Sequence, residues 1–418
     1  MSASDTPPTD PSLLTRLLHA DRLGRPEHGA VHKPLHVAAT YAFPSAGELA
    51  AVFQGRQAGH VYSRQGNPTD TALEAKLAML EGARGAATFS TGMAAVAGVM
   101  LTLLKAGDHL VASRYLFGNT NSFFGTLQGL GIGITYVDAT DAAAVAAAVT
   151  PATRMVFVET IANPATQVAD IAGIGQVCRE RGLVYVLDNT MTTPVLLRGR
   201  DVGASLVVHS LAKGIAGHGD TMGGAVCDTG LHDWRTYPNI AEAYRTGDPA
   251  GWGLQQIRKK GLRDMGATLR AEDAHRIATG AETLEMRIAA TNGHALAVAQ
   301  WLERQPQVQR VLYPGLASHP QHERARTLFG GRYGALLAFE LRPEHDVMTV
   351  LDRLRTIILS SHLSDNRTLA IPVAQTIFWE MGAQRRAEMG IGDGMVRLSV
   401  GLEPAEDLCA DLAQALRG

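Results

Sequence analysis

The chain has 418 residues, of which 46% are hydrophobic and 19% charged, and its net charge at pH 7 is −2. This length exceeds one ordinary hydrophobic core, so we expect a globular protein of at least two domains. The near-neutral charge argues against a nucleic-acid-binding protein, and no apolar run reaches the roughly 18 residues of a membrane helix.

The N-terminal 66 residues are predicted to form an arm without a core of its own. Residues 1–11 are rich in Ser, Thr, Asp and Pro and lack the apolar segment of a signal peptide, so we expect a frayed tail and a cytoplasmic protein. The three cysteines are far apart, which fits a reducing compartment and gives no metal-ligand spacing. After a short helix at Leu13–Ala20, the irregular sequence must lie on another part of the protein or on a neighbouring subunit.

The arm ends in two residues that can bind an anion, Tyr62 and Arg64. Arginine offers a fork of donors, so both side chains could reach one anion together. A loop that closes with a helix cap explains the same stretch, because Thr69 or Asp70 suits the N-terminus of an amphipathic helix at residues 71–82. The two interpretations are compatible.

A strand, a turn of small residues and an apolar helix follow. The strand is predicted at Ala86–Phe89, the turn at Ser90–Met93 and the helix at Ala94–Leu104. This order points backbone N–H groups and a helix dipole at an anion such as a phosphate. The motif by itself has low specificity.

Strands and helices then alternate, which predicts a mostly parallel sheet with helices on both faces. Ligands of such sheets bind beyond the carboxyl ends of the strands. The predicted strands are His109–Ala112, Ile134–Val137, Met155–Glu159, Leu183–Leu187 and Ala204–Val208, and the helices include Ala142–Val149 and Ile171–Arg181.

Asp188 and Lys213 each follow one of these strands. Burying the positive charge of a lysine costs free energy. An uncharged lysine amine, in contrast, can form an imine with an aldehyde cofactor. A carboxylate at Asp188 can pair with the charged ring nitrogen that pyridoxal phosphate requires. A solvated lysine in a surface loop is the alternative for Lys213 alone. Because Ser90 also follows a strand, the three positions together favour the cofactor.

The C-terminal third reads as a smaller α+β domain. Helical sequence at Gln255–Arg304 leads into it, and the short basic cluster at 258–260 is interpreted as a solvated helix end. We predict an arm at 1–66, a large domain at 67–270 and a C-terminal domain at 271–418 that begins with the linking helix. The predicted strands are Val308–Tyr313, Gly334–Leu341 and Met395–Val400, and the helices are Val347–Arg355 and Glu406–Arg417.

Arg397 lies inside an apolar strand, Val396–Val400. A charged residue among such neighbours needs a partner. A substrate carboxylate and a structural ion pair both remain open at this point.

Six blocks, in the same order, resemble the Cys/Met metabolism family of pyridoxal-phosphate enzymes from about His36 to Leu412. That family includes cystathionine γ-synthase, cystathionine and methionine lyases and O-acylhomoserine sulfhydrylases. The resemblance implies an aspartate-aminotransferase-like (fold type I) α/β fold. The blocks are Tyr62-Ser-Arg64-x-x-Asn-Pro-Thr69, Ser90-Thr-Gly-Met93-Ala-Ala95, Glu159-Thr-x-x-Asn163-Pro164, Asp188-Asn-Thr190, Ser210-x-x-Lys213 with Gly217-His-Gly-Asp220, and Val396-Arg-Leu-Ser-Val-Gly401.

The resemblance also implies a role for each matching position. It implies a dimer with shared active sites, usually paired into a tetramer, in which Tyr62 and Arg64 come from the adjacent subunit. It also implies that Lys213 binds the cofactor covalently and transfers protons, and that Asp188 pairs with the ring nitrogen. Gly92, Met93 and Ser210 would bind the cofactor phosphate. Asn163 would lie near the ring hydroxyl, and Arg397 would bind the substrate carboxylate.

Three departures from the family pattern lie near the expected site. Phe117 stands where relatives usually have a tyrosine; it can stack on the cofactor but cannot move a proton. Ala212 replaces the threonine that often precedes the lysine. The usual Asn- or Ser-Leu-Gly block becomes His362-Leu-Ser-Asp365, followed by changes at 372–380, so His362 is either a substrate contact or a filler.

The expected reaction is γ-replacement on an O-acylated homoserine, with an acetyl or succinyl group. Sulfide or a thiol such as cysteine would attack, giving homocysteine or cystathionine, and no metal is needed. The full family pattern and the missing phenol at Phe117 favour this reaction. The alternatives are a carbon–sulfur lyase, which eliminates from cystathionine or methionine, and a cofactor-binding regulatory protein without turnover, against which Lys213, Asp188 and Arg397 argue.

Overall fold

The computed structural model describes residues 11–22 and 26–417. Most of the predicted frayed tail, residues 1–10, lies outside this part. The described residues build two sheets, and the larger one lies on the N-terminal side of the sequence. In the described part of the chain, no helix is both long and apolar enough to cross a bilayer.

The large sheet has seven strands in the order β1-β7-β6-β5-β4-β2-β3. Its strands from β2 to β6 pair in parallel, which confirms the predicted α/β class, while β7 is antiparallel to both β1 and β6. The strands are β1 Gly85–Phe89, β2 His109–Ser113, β3 Gly133–Val137, β4 Thr153–Glu159, β5 Val184–Asp188, β6 Leu206–Ser210 and β7 Gly224–Asp228. Our prediction did not include β7, whose short sequence follows a glycine-rich loop.

Side chains alternate between the two faces of this sheet because successive residues of a strand point to opposite sides. On β4, Val156 and Val158 join one apolar core, and Met155 and Phe157 join the other. The first core continues into the C-terminal sheet. A shared core does not fix a domain boundary, so the division at residue 270 stays a prediction.

The helices cover both faces of the large sheet and one side of the small one. Their bounds are α1 Leu13–His19, α2 Ala46–Phe53, α3 Pro68–Glu81, α4 Gly92–Leu103, α5 Gly118–Gly129, α6 Ala142–Ala148, α7 Ile171–Arg181, α8 Thr193–Leu196, α9 Trp252–Gln256, α10 Ala271–Glu282, α11 Leu284–Leu302, α12 His322–Leu328, α13 Val347–Asp352, α14 Ala383–Glu388 and α15 Ala405–Arg417.

Helix α3 begins three residues before the predicted start. Asn67 is its N-cap, and the Asn67 side chain accepts hydrogen bonds from the Thr69 and Asp70 N–H groups. Pro68 occupies the first helical position, where its missing N–H costs nothing and its fixed φ suits the helix. Thr69 and Asp70 therefore lie in the first turn, and their prediction as the N-terminus was wrong.

Helix α5 was not predicted. Its glycines, at 118, 125 and 129, have low helix propensity. Tertiary packing stabilises the helix instead, because Phe124 is fully buried and its ring packs edge-on against Phe157 at 5.4 Å between centroids.

The predicted helical stretch 255–304 is interrupted. Helix α9 continues into a π-helix at Ile257–Asp264, and α10 and α11 follow after a break. Arg258 is not a solvated helix end. Its guanidinium donates hydrogen bonds to the Glu74 carboxylate and to the Ala86 carbonyl, so this cation is tied to α3 and β1.

The small sheet has five strands in the order β10-β11-β12-β9-β8, and only β10 and β11 pair in parallel. Three of them, β8, β9 and β12, confirm the predicted α+β pattern. The other two are short, and their pairing was not predicted. The bounds are β8 Val308–Leu312, β9 Leu336–Leu341, β10 Ile358–Leu359, β11 Leu369–Pro372 and β12 Met395–Ser399.

Candidate active site

A cavity of about 340 Å³ lies where the carboxyl ends of β4 and β5 face the small sheet. The cavity wall includes Lys213 and five more of the predicted site residues: Phe117, Asn163, Asp188, His362 and Arg397. The chain thus brings together residues that are up to 280 positions apart in sequence. The remaining wall is formed by Gly118, Asn119, Glu159, Thr190, Met191, Ser361, Leu363, Ile377 and Phe378.

Lys213 lies in the turn that follows β6. The turn is closed by hydrogen bonds from the Lys213 N–H to the Ser210 carbonyl (3.2 Å) and from the Gly217 N–H to the Lys213 carbonyl (2.8 Å). Burial, with the nearby charge of Arg397, lowers the pKa of Lys213 to about 8. A neutral amine is therefore accessible near neutral pH, as a nucleophilic lysine requires.

Two carboxylates lie side by side at the strand ends, because Glu159 of β4 pairs in register with Asp188 of β5. Burial raises the pKa of both groups, and in Glu159 the neighbouring charge of Asp188 raises the pKa further. Asp188 accepts a hydrogen bond from the Thr190 N–H (3.0 Å), and Glu159 accepts one from the Phe117 N–H (2.5 Å). A cation placed beside this pair would be strongly stabilised.

Gly92 and Ser210 meet at the N-terminus of α4. A Cβ added at Gly92 would lie 2.9 Å from the Ser210 Cβ, so only glycine allows this approach. Thr91 caps the helix by accepting from the Ala94 N–H (3.0 Å), and Met93 follows Gly92 in the first turn. An N-terminus of this kind attracts anions.

Arg397 is only 2% exposed, and burial lowers its pKa to about 10. Its guanidinium donates to the carbonyls of Ser361 (2.7 Å) and His362 (2.8 Å) and to the Asn163 side-chain oxygen (3.3 Å). These partners are neutral, and Arg397 Nε has no hydrogen-bond partner in the described chain. A buried cation with neutral partners is suited to bind an anionic ligand from the cavity.

Tyr62 and Arg64 do not line this cavity. The Arg64 guanidinium lies over the Tyr62 ring, 5.4 Å from its centroid, and donates to the Arg263 carbonyl (2.6 Å). Tyr62 is 43% exposed. Within this chain, these two residues therefore lie outside the cavity that Lys213 lines.

The sequence analysis assigned no role to Glu159, Ile377 or Phe378, which the structure places in the cavity wall. Glu159 could have been predicted, because it ends the strand that neighbours the strand of Asp188. Ile377 and Phe378 had a weaker sequence signal, since they lie in the segment where the family pattern changes. Ser361, Leu363, Thr190 and Met191 also line the cavity without an assigned role; each lies within three positions of a predicted residue.

A buried polar network lies behind the site. Glu81, at the end of α3, accepts hydrogen bonds from the Asn189 side chain (2.8 Å) and the Gly199 N–H (2.8 Å) and contacts His209 Nε2 at 2.7 Å. Asn189 follows Asp188, and His209 precedes Ser210. The network therefore holds the ends of β5 and β6, and with them two of the predicted site residues.

The chain was compared with known proteins. The family described as "Cys/Met metabolism PLP-dependent enzyme" matches residues 14–417. The chain is 38% identical to L-methionine gamma-lyase from Pseudomonas putida over 97% of this chain and 98% of that protein. It is 37% identical to O-succinylhomoserine sulfhydrylase from Pseudomonas aeruginosa over 93% and 91% of the two chains.

A solved structure from Campylobacter jejuni has a similar fold. It superposes with a TM-score of 0.91 at 29% identity and covers 97% of this chain and all of that one. That protein carries a pyridoxyl-lysine phosphate group. With the family match over nearly its whole length, this chain belongs to the pyridoxal-phosphate-dependent enzymes of Cys/Met metabolism.

Proposed function

We propose that pyridoxal 5′-phosphate binds in the cavity through a covalent bond to Lys213. The residues present fit the group: an amine with a lowered pKa for the aldehyde, a buried carboxylate at Asp188 for the ring nitrogen, and the N-terminus of α4 for the phosphate. Gly92 allows the first turn of α4 to pack closely against Ser210, so the backbone N–H groups of that turn and the Ser210 hydroxyl could bind one phosphate together. The bound cofactor draws electrons from the substrate and so acidifies its Cα–H bond.

The remaining site residues act on the substrate and on the cofactor ring. Arg397 would bind the substrate α-carboxylate, and Phe117 and Asn163 would hold the cofactor ring, through stacking and through the ring hydroxyl respectively. Lys213, once released by the substrate, removes and returns the Cα proton. Ile377 and Phe378 give the cavity an apolar wall that excludes water.

The reaction is γ-replacement on an O-acylated homoserine, with sulfide or a thiol as the nucleophile. The observation that carries this proposal is buried Arg397 facing Lys213 across the cavity, which selects an α-amino acid. The sulfhydrylase from Pseudomonas aeruginosa supports the choice of an O-acylated homoserine. Phe117 cannot protonate a leaving group as a phenol would, so the reaction needs a weakly basic leaving group, such as the carboxylate of an O-acyl group, or another proton donor.

Elimination is the second candidate. The L-methionine gamma-lyase from Pseudomonas putida, at 38% identity, favours a carbon–sulfur lyase that acts on methionine or cystathionine. The same placement of Lys213 and Arg397 serves both reactions, since both begin with removal of the Cα proton. The two differ in whether a thiol enters before the product leaves.

The working unit is proposed to be a homo-oligomer. Tyr62 and Arg64 lie outside the cavity that Lys213 of the same chain lines. This position fits two residues that complete the phosphate site of an adjacent subunit. A dimer is the smallest assembly that allows this, and two dimers can pair into a closed tetramer. The cytoplasmic location stays a prediction.

A product assay on the purified holoenzyme tests the reaction. O-acetylhomoserine and O-succinylhomoserine are each supplied with and without sulfide or cysteine, and methionine and cystathionine are run in parallel. A new thiol or thioether amino acid that requires the added nucleophile supports γ-replacement and identifies the acyl group. A 2-oxo acid that forms from methionine or cystathionine without added thiol identifies a lyase instead.

A further inference from the structure

His362 is fixed against the reactive lysine. Its Nδ1 lies 3.0 Å from the Lys213 Nζ. Its carbonyl accepts a hydrogen bond from Arg397 (2.8 Å), and its N–H donates to the Ser360 hydroxyl (3.3 Å). The backbone is thus held at both ends, so the imidazole keeps its position beside the amine.

The other ring nitrogen of His362 is free for a ligand. His362 Nε2 is buried and has no hydrogen-bond partner in the described chain, while the residue lines the cavity. A buried polar atom without a partner is energetically unfavourable, so a substrate group that bonds to it would be stabilised. One imidazole therefore contacts Lys213 through Nδ1 and can contact substrate through Nε2.

The cavity offers few other groups that can move a proton near Lys213. None of its described lining residues is a tyrosine or a cysteine. Glu159 and Asp188 accept hydrogen bonds from the Phe117 and Thr190 N–H groups at the strand ends, and Arg397 keeps its charge. His362 is the remaining titratable group beside the amine.

The surroundings keep His362 neutral in the resting protein. Burial lowers the pKa of His362 and the charges of Lys213 and Arg397 lower it further, while Asp365 and a hydrogen bond with the Ala212 backbone act in the opposite direction. A neutral imidazole with its proton on Nε2 can accept a proton at Nδ1. It is therefore ready to receive one from the Lys213 ammonium.

We propose that His362 is a catalytic residue that moves protons between Lys213 and the reacting groups at the substrate γ-carbon. The inference rests on the γ-replacement proposed above. Lys213 takes the Cα proton, passes it to Nδ1 and then takes a Cβ proton, whose bonding electron pair forms the Cβ=Cγ bond as the γ C–O bond breaks. The C–O electron pair goes to the departing oxygen, which takes the Nε2 proton. When the thiol forms the γ C–S bond, Nε2 takes the S–H proton and Nδ1 returns its proton to Lys213.

The proton count closes over one replacement. Lys213 returns the Cβ proton when the thiol adds, and it then returns to Cα the proton that it regains from Nδ1. His362 ends with its proton on Nε2, as it began, and the departing oxygen keeps one proton in exchange for the S–H proton. In elimination no thiol enters the site, so Nε2 of the imidazole must regain its proton from water. Replacement is therefore expected to depend on His362 more strongly than elimination does.

Two variants of the holoenzyme test the proposal. His362→Asn keeps a polar group near Lys213 but cannot relay a proton, and it is expected to lower kcat for replacement by about 10²- to 10⁴-fold with a smaller change in KM. His362→Ala is expected to lose similar activity and to recover part of it with added imidazole. His345→Asn, outside the cavity wall, is the matched control and is expected to keep wild-type kcat.

A measurement on the resting enzyme tests the role of His362 independently of which reaction the enzyme catalyses. The visible absorbance of the lysine-bound cofactor is titrated with pH in the resting wild type and in His362→Ala. Loss of the imidazole acceptor is expected to shift the midpoint by about one pH unit, toward lower pH. This shift is expected whether the wild type proves to be a replacement enzyme or a lyase.

Wild-type kcat in His362→Asn, or an unchanged midpoint in His362→Ala, would overturn the role of His362. Activity that imidazole does not rescue, in a variant that binds the cofactor normally, would also count against proton transfer. A wild type that performs only elimination would refute the proposed function. In that case, kcat for elimination and the absorbance midpoint still decide whether His362 serves Lys213.

Discussion

At the scale of single residues, the site buries charged side chains at a cost in free energy. A bound ligand of opposite charge would offset that cost. Asp188 and Glu159 share one buried edge of the sheet, and Arg397 is buried among neutral oxygens. Such groups are destabilising in the empty protein unless a ligand of opposite charge offsets them. Cofactor and substrate binding are therefore expected to depend on these residues individually.

Asp188→Asn removes the charge that pairs with the cofactor ring nitrogen. A hydrogen bond to a charged group contributes about 1.5–3 kcal/mol, so we expect the Kd for pyridoxal phosphate to rise by about 10- to 100-fold. Fluorescence titration of the apoprotein with the cofactor measures this. Asp352→Asn, an exposed aspartate at the end of α13, is the control. Equal affinity in Asp188→Asn and the wild type would refute the assigned role.

The lowered pKa of Lys213 predicts how fast the apoprotein captures the cofactor. Only the neutral amine attacks the aldehyde, and burial with the Arg397 charge lowers the pKa of Lys213 to about 8. The capture rate is expected to rise about tenfold per pH unit below pH 8 and to level off above it. Stopped-flow absorbance measures the rate. A rise that continues to about pH 10, the ordinary range of lysine, would contradict the prediction.

At the scale of elements, the site depends on a close approach between α4 and β7. A Cβ at Gly224, the first residue of β7, would lie 2.1 Å from the Thr91 carbonyl, and one at Gly92 would meet Ser210. These contacts bring the N-terminus of α4 to the ends of β6 and β7. The anion-binding end of the helix is therefore positioned by two glycines rather than by the helix sequence.

Gly224→Ala is expected to destabilise the protein by roughly 1–3 kcal/mol, because overpacking forces backbone shifts. It should also weaken cofactor binding, since the shift moves the first turn of α4. Gly125→Ala is the matched control: Gly125 is exposed in α5 with no atom within 4 Å of an added Cβ. That change is expected to stabilise by about 0.5–1 kcal/mol. Urea unfolding compares the two, and equal stability would refute the packing argument.

At the scale of the whole molecule, two of the predicted site residues lie apart from the others within this chain. Lys213, Asp188 and Arg397 line one cavity, whereas Tyr62 and Arg64 lie elsewhere on the same chain. The arm also exposes large apolar side chains, with Val31 84% and Val37 67% exposed. Both features fit an arm that packs on a neighbouring subunit.

Mixed dimers test whether subunits share sites. Arg64→Ala and Lys213→Ala subunits are each expected to be inactive as pure proteins. Coexpressed at random, they should recover roughly a quarter of the wild-type activity, because half of the dimers are hybrid and each hybrid has one intact site. Purification by two tags isolates the hybrids for assay. Inactive hybrids would show that Arg64 serves its own subunit.

Residues with a distinctive local pattern were predictable from sequence. The parallel strands, the buried lysine after a strand and the charged residue in an apolar strand follow from periodicity and from the cost of burying charge. The six blocks then identified the family, which the comparison confirmed. The cofactor of that family followed from the same blocks.

Other features depended on contacts between distant segments. Helix α5 forms against its propensity because Phe124 is buried, and β7 exists because β1 and β6 pair with it. The contact between His362 and Lys213 joins residues 149 positions apart, so no local pattern could place one beside the other. The amino-acid sequence alone indicated the fold class and the family, and it predicted six of the residues that line the cavity, from local periodicity, the cost of buried charge and the six blocks. The titratable group beside Lys213 became visible only in the folded chain, because long-range packing sets the 3.0 Å distance between His362 Nδ1 and the Lys213 Nζ.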